Sequence, residues 1–240
     1  MEKIYLEEVD STNKWAKEHV EELSDKSIVY TYKQTNGRGR LDRTWNYVGE
    51  DNLYVSIVLK PSDCMHEVYS NLTQLLCLVL AKTFEEYCVE PKIKWPNDIK
   101  VNGKKISGIL AEGVISVDLK LLGIVLGFGV NLNTEKADMD NISQAATSLN
   151  IEIGKHVDKE NFLKSVLDKF FLLYNNFIEE GFLLIREDYK KRAEFLNKQL
   201  SVKVFDKIYE GVAVDVAENG ALKLIDDKNK EHILLIGDIL

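Results

Sequence analysis

Asn102-Gly103 is the tightest constraint in this sequence. The pair stands between KIKWPNDIKV and KKISGILAEG, two runs rich in branched apolar residues. Both residues accept the positive φ angles of a type I′ turn, whose twist matches that of paired strands. So short a connection joins antiparallel neighbours only, because parallel strands need a long crossover. The body of the fold is therefore expected to hold an antiparallel or mixed sheet.

Other elements arrange themselves around that hairpin. KIYLEEV, SIVYTYKQ, NLYVSIVLK and LKLLGIVLGFGVNLN read as strands. STNKWAKEHVEEL reads as a helix with Ser11, Thr12 or Asn13 available as its cap. Val68, Leu72, Leu75, Leu76, Val79 and Phe84 recur at helical spacing across 66–88. Two further amphipathic helices are expected over 158–179 and 182–196. After Asn197 the period changes to two. LSVKVF, YEGVAVDVA, ALKLID and EHILLIG follow with turns between them; Val202 and Val204, then Val212, Val214 and Val216, alternate with polar residues. That pattern predicts a small all-β barrel of about 40 residues. The expectation is an α+β protein: a body over 1–196 with a mixed or antiparallel sheet and helices, then a barrel over 197–240.

Composition narrows the function classes. With 45% apolar residues among 240, the chain can fill a core. No apolar run is long enough for a transmembrane helix, and MEKIYLEEVDSTNK lacks the basic start and apolar stretch of a signal peptide. A cytoplasmic protein with no membrane association is expected. Cys64, Cys77 and Cys88 form no CxxC pair, so neither a disulfide framework nor a zinc site is indicated. Cys77, inside LTQLLCLVLAKTF, reads as a small core residue. His66 and His156 read as polar residues near helix starts, and no metal ligands can be assigned. A net charge of -8 argues against a general nucleic-acid binder, and no DNA partner is expected.

Common nucleotide schemes are absent. NGKKIS lacks the upstream glycine of a phosphate-binding loop and the Ser/Thr directly after Gly-Lys. GRGRLD and GFGVNL begin like GxGxxG but lack the third glycine. The GxSxG elbow and the kinase signature set are missing.

Four clusters remain. DSTN (10–13) offers hydroxyls and an amide, although capping alone also gathers such residues. QTNGRGRLDRTW (34–45) puts three arginines and two glycines in twelve residues of an acidic chain. It is either a solvated basic loop or a flexible segment awaiting an anion, with Trp45 able to stack on a flat ring. KWPNDIKVNGKKISGIL (94–110) places Asn97 in a polar turn, and Lys105 and Gly108 on the strand after the hairpin; Lys105 taken alone could be a surface lysine. GFGVNLN (127–133) holds two glycines where something approaches the backbone closely, or where strands pack tightly.

In this order and spacing the four clusters resemble the biotin protein ligases, and the resemblance runs over almost the whole chain, terminal barrel included. It implies a class II synthetase-like biotin/lipoate ligase fold over 1–196 and an SH3-like barrel over 197–240. It also implies ATP-dependent activation of biotin to biotinyl-5′-AMP, then transfer to one lysine of a biotin carboxyl carrier protein. Biotin, ATP and Mg²⁺ would be substrates and metal, with no permanently bound prosthetic group. Carried over by residue, Ser11, Thr12, Asn13 and Gln34 would line the biotin site. Gly37, Arg38, Gly39 and Arg40 would close over biotin and the adenylate as a lid. Lys105, with Arg38 and Arg40, would be catalytic, and Gly108 would lie beside biotin. Arg40, Arg43, Trp45, Asn97, Lys105 and Asn131 would serve ATP. The chemistry of the substrate is consistent with this: a ureido ring needs donors and acceptors, and attack of a carboxylate on phosphorus needs positioning and positive charge.

Two departures from the family pattern are expected to matter. Some members begin with a helix-turn-helix domain, for which the chain has no room before DSTN. The C-terminus ends soon after LIGDIL, without the nucleotide contact of a longer tail. A homodimer remains open. The nearest rival is a lipoate or octanoate ligase, whose arginine signature followed by a His-Asp pair is not found. A non-catalytic biotin or nucleotide sensor, or an RNA-binding module using the arginine loop, is a rival of another class.

Overall fold

The structure is a computed structural model, and it describes residues 2–40, 43–45, 49, 51–60, 67–139 and 144–240. Cys64 and His66 lie outside these residues. In chain order the elements begin with β1 (Lys3–Tyr5), α1 (Thr12–Glu18), β2 (Ser27–Thr31), β3 (Gly37–Arg38), β4 (Thr44–Trp45), β5 (Leu53–Leu59) and α2 (Leu72–Glu85). They continue with β6 (Pro91–Lys94), β7 (Asp98–Val101), β8 (Lys104–Ile115), β9 (Leu121–Val130), α3 (Lys136–Met139), α4 (Leu149–Ile153), α5 (Lys159–Glu180) and α6 (Arg186–Arg192). The last strands are β10 (Gln199–Val204), β11 (Lys207–Val216), β12 (Leu222–Ile225), β13 (Glu231–Leu234) and β14 (Asp238–Ile239). Asn102 and Gly103 both take positive φ, 50° and 76°, as the I′ turn requires. The α+β class is as expected.

Two compact units form, Met1–His66 with Gly103–Lys164 and Glu67–Asn102 with Ser165–Leu240. In the first, the strand order β1-β2-β5-β9-β8 is mixed: β1 runs parallel to β2 and the other neighbours are antiparallel. β5 is buried at all seven positions, which marks a central strand covered on both faces. Helix α1 lies on this sheet. Its Ala16, together with Val20 and Leu23 just beyond it, packs on Val29, Val58 and Val125. Full burial of a branched aliphatic side chain stabilises by about 1.5–3 kcal/mol, so this cluster anchors the helix whose N-terminus enters the site. The helix is shorter than expected; residues 19–23 continue as turns.

In the second unit α2 is buried nearly all round, and it starts at Leu72 after a 3₁₀ turn over Glu67–Asn71. Cys77 is fully buried there, as expected of a small core residue. The helix expected over 182–196 is a 3₁₀ turn, Gly181–Leu184, followed by α6, which ends at Ala193 in extended backbone. The C-terminal strands form one antiparallel sheet in the order β13-β12-β11-β10-β14, which fits an SH3-like domain. EHILLIG stops as a strand at Leu234, and a fifth strand, β14, pairs with β10. Asn71 and Gln74 hold the turn of this sheet: their amides donate to Asn219 O at 3.0 Å and Gly220 O at 2.9 Å. Arg186 of α6 donates to Val216 O at 2.7 Å. The sheet therefore shares its compact unit with α2 and α6. Among the described residues no helix is long and apolar enough to cross a membrane.

Candidate functional site

The start of α1 is where the first cluster does two things at once. Ser11, in extended backbone, caps the helix by accepting from Lys14 N at 3.4 Å. Thr12 and Asn13 follow on the first turn and are buried, as are Gln34 on the loop after β2 and Ser56 in the middle of β5. Buried polar groups must find partners, and these find one another. Gln34 Oε1 accepts from Thr12 N at 2.9 Å and lies 3.2 Å from Thr12 Oγ1. Ser56 Oγ lies 2.9 Å from Thr12 Oγ1 and 2.6 Å from Asn13 Oδ1. Asn13 Nδ2 donates to Leu110 O at 3.2 Å and to Glu112 Oε2 at 2.9 Å, and Lys17 Nζ meets Glu112 Oε1 at 2.5 Å. A Cβ on Gly127 would sit 2.0 Å from Asn13 Oδ1, so the first glycine of GFG exists to admit this amide.

The second cluster folds back on itself as a ribbon. Gly37 pairs with Trp45 and Arg38 with Thr44, while Gly39 N donates to Arg43 O at 2.7 Å. Its base is tied down by Thr35 N to Val9 O, 3.0 Å, and Asn36 N to Asp10 O, 2.8 Å. Gly37 is required because a Cβ there would lie 2.7 Å from Gln34 Nε2 and 2.9 Å from Trp45 O. Arg38 and Arg43 are exposed and Arg40 is half-buried. The Lys14 ammonium, bonded at 2.6 Å, holds the Asp10 carboxyl below its usual range, and the Arg38 charge adds to this.

Trp45 carries the ribbon onto the sheet. Gly108 and Gly129 face each other across β8 and β9. A Cβ on Gly108 would be 2.7 Å from Trp45 Cζ3, and one on Gly129 would be 2.9 Å from Trp45 Cε2. The indole thus lies directly on backbone. Lys105 Nζ stands 5.3 Å from the centroid of the same ring, within cation–π range. The Lys105 backbone is fixed on both sides, N to Ala145 O and O from Thr147 N, each 2.9 Å. Asn131 Nδ2 donates to Thr147 O at 3.0 Å, which pins the strip running beside Lys105.

A continuous chain of contacts therefore runs from Thr12 through Gln34, Gly37 and Trp45 to Lys105, Gly108 and Gly129. It joins the first two clusters to the end of the third and to the fourth. Asn97 lies in the second unit, on the turn between β6 and β7. The close approach expected at the glycines of GFGVNLN is made by the protein's own Asn13 and Trp45. Ser56, Glu112 and Lys17 escaped the sequence reading. The signal was present: a lone serine in LYVSIVL and a carboxylate in an otherwise apolar strand.

The sequence profile of the biotin/lipoate A/B protein ligase family matches residues 5–131. The bifunctional ligase/repressor BirA of Bacillus subtilis is 30% identical over 224 residues, which cover 92% of this chain and 68% of that protein. The biotin–[acetyl-CoA-carboxylase] ligase of Paracoccus denitrificans is 30% identical over 225 residues, 91% of this chain and 92% of its own. Among solved structures, the Aquifex aeolicus biotin protein ligase in complex with biotin and ATP superposes with a TM-score of 0.86 at 28% identity, covering 100% of this chain and 97% of that one. Profile, sequence identity and fold agree, and the chain belongs to the biotin/lipoate A/B protein ligase family.

Proposed function

We infer that this protein is a biotin protein ligase. It activates biotin with ATP to biotinyl-5′-AMP and passes the biotinyl group to a lysine of a carboxyl carrier protein. The buried array of Thr12, Asn13, Gln34 and Ser56 carries the choice of ligand. Hydroxyl and amide groups can exchange hydrogen bonds with a cyclic urea, whereas a dithiolane ring offers them none.

In the first step a biotin carboxylate oxygen attacks the α-phosphorus and pyrophosphate leaves. Lys105 supplies the positive charge that brings the two anions together, with Arg38 and Arg40 from the ribbon. Arg43, Trp45, Asn97 and Asn131 are assigned to the nucleotide side; Asn131 acts there through the strip it pins at Thr147. Ser11 and Gly108 complete the biotin side, Gly108 by letting Trp45 and Lys105 lie close. Mg²⁺ would be part of the Mg-ATP substrate, where it would screen the phosphate charge. In the second step the neutral amine of the carrier lysine attacks the acyl carbonyl and AMP departs. The ligase-type domain spans 1–196 and the SH3-like domain 197–240, a division supported by a terminal sheet made wholly from residues 199–239.

Purified protein with biotin and Mg-ATP should release pyrophosphate and form biotinyl-AMP without an acceptor, then label an apo carrier domain on one lysine. Adenylate from lipoate or octanoate but none from biotin would reverse the ligand assignment.

A further inference from the structure

We propose that Lys14 is a positioning residue: by holding the Asp10 carboxylate it keeps the Arg38 guanidinium uncommitted, ready for the anion on which the ribbon closes. This rests on the biotin reading above, in which Arg38 serves the carboxylate and the phosphate. The ribbon rises directly from Asp10. Asp10 O accepts from Asn36 N at 2.8 Å, and Arg38 follows two residues later. An arginine next to a carboxylate can close a two-bonded pair with it. Here it does not. Arg38 is exposed, its backbone pairs with Thr44, and its guanidinium makes no hydrogen bond or ion pair among the described residues. The Asp10 carboxylate is engaged elsewhere: Lys14 Nζ meets Oδ2 at 2.6 Å, and Ser11 N donates to Oδ1 at 2.7 Å.

The charges explain why Arg38 stays out. The hydrogen bond to Asp10 leads in raising the Lys14 pKa, and the Arg38 charge works against it. At Asp10 the Lys14 bond leads in the opposite direction, and Arg38 adds to it. Arg38 is thus attracted by one partner and repelled by the other, and the pair as a whole is neutral, so its pull is small. Lys14 stands four residues after Asp10, across the Ser11 cap of α1, which sets the two side chains within reach of each other. Without the ammonium, Asp10 would be a bare anion at the foot of the ribbon. Arg38 would fold down onto it, and the ligand would have to break that pair before gaining the contact.

The test follows the half-life of biotinyl-AMP on the enzyme, formed from biotin and Mg-ATP without an acceptor. In Lys14→Met the adenylate should escape about three- to fivefold faster, the scale of one half-exposed ion pair, with the melting temperature close to that of the wild type. Lys14→Arg keeps the charge and should keep the half-life. Adding Asp10→Asn to Lys14→Met removes the competing anion and should restore retention, a rescue that a misfolded variant would not show. On an Arg38→Ala background Lys14→Met should cost nothing further, because the two changes act through one contact. A loss in Lys14→Met that Asp10→Asn does not repair, or an equal further loss on the Arg38→Ala background, makes Lys14 a structural residue and overturns the proposal. Full retention in Lys14→Met overturns it as well, while leaving biotin activation intact. Failure of the wild type to adenylate biotin overturns the functional reading, and this proposal with it.

Discussion

The Trp45 indole rests on the bare backbone of Gly129, where a Cβ would come within 2.9 Å of Cε2. The ring can lie there only because the facing position on β8, Gly108, is also bare. Gly129→Ala should therefore lift the ring and cost about 1–3 kcal/mol, the range for overpacking a filled space. The sheet should survive. Intrinsic tryptophan fluorescence would shift, and adenylate formation would fall with it. An unchanged spectrum and unchanged rate would mean that Trp45 does not need this seat.

Lys105 lies above the same ring with its backbone fixed between Ala145 and Thr147. Its ammonium group is thus placed in advance of the charge that builds on phosphorus. Lys105→Ala should slow the first step by about 10²–10³-fold, as for loss of one preorganised donor. The melting temperature should stay close to that of the wild type. Near-normal pyrophosphate release would return Lys105 to the status of a surface lysine.

Arg40 sits on a ribbon that two glycines and two backbone tethers hold to the core. A charge-assisted contact with the adenylate contributes about 1.5–3 kcal/mol, and Arg40→Gly removes it without touching Lys105. The adenylate should still form but escape about tenfold faster or more, and lysines of a bystander such as albumin should become biotinylated. The adenylate half-life on the enzyme and label on the bystander read this out. Full retention with a clean bystander would sink the lid.

Acid sensitivity should begin in the C-terminal sheet. Asp226 accepts from His232 at 2.8 Å and from the backbone of Lys228 and Lys230 at 2.9 Å. The His232 hydrogen bond leads in lowering its pKa to about 2, against roughly 3.9 in an unfolded chain. The folded state binds fewer protons, so the stabilisation is complete above the unfolded value and fades as pH drops from about 4 toward 2. Asp226→Ala should flatten the pH dependence in that window and leave the slope above pH 5 alone. Unfolding followed from pH 6 to 2 would show whether the two curves converge at the acid end.

The sequence by itself determined what is local and what is carried by residue type. Asn102-Gly103 can make only a tight antiparallel turn. The period-two run after Asn197 can bury only alternate side chains, and the four polar clusters are denser than packing needs. Their order is a property of the chain, which is why the family was legible before any coordinates. The tertiary structure decided who meets whom. Nothing in GFGVNLN says that its glycines make room for Asn13 and Trp45, from segments some 80 to 115 residues away. The structure also gathered Thr12, Ser56, Asn13 and Glu112 into one hydrogen-bonded array, since such contacts depend on distances that only folding sets. In the sequence Ser56 is a lone hydroxyl in LYVSIVL and Glu112 a carboxylate near the end of KKISGILAEGVI. Each became part of the site because a mixed sheet brought β5 and β8 under the same helix.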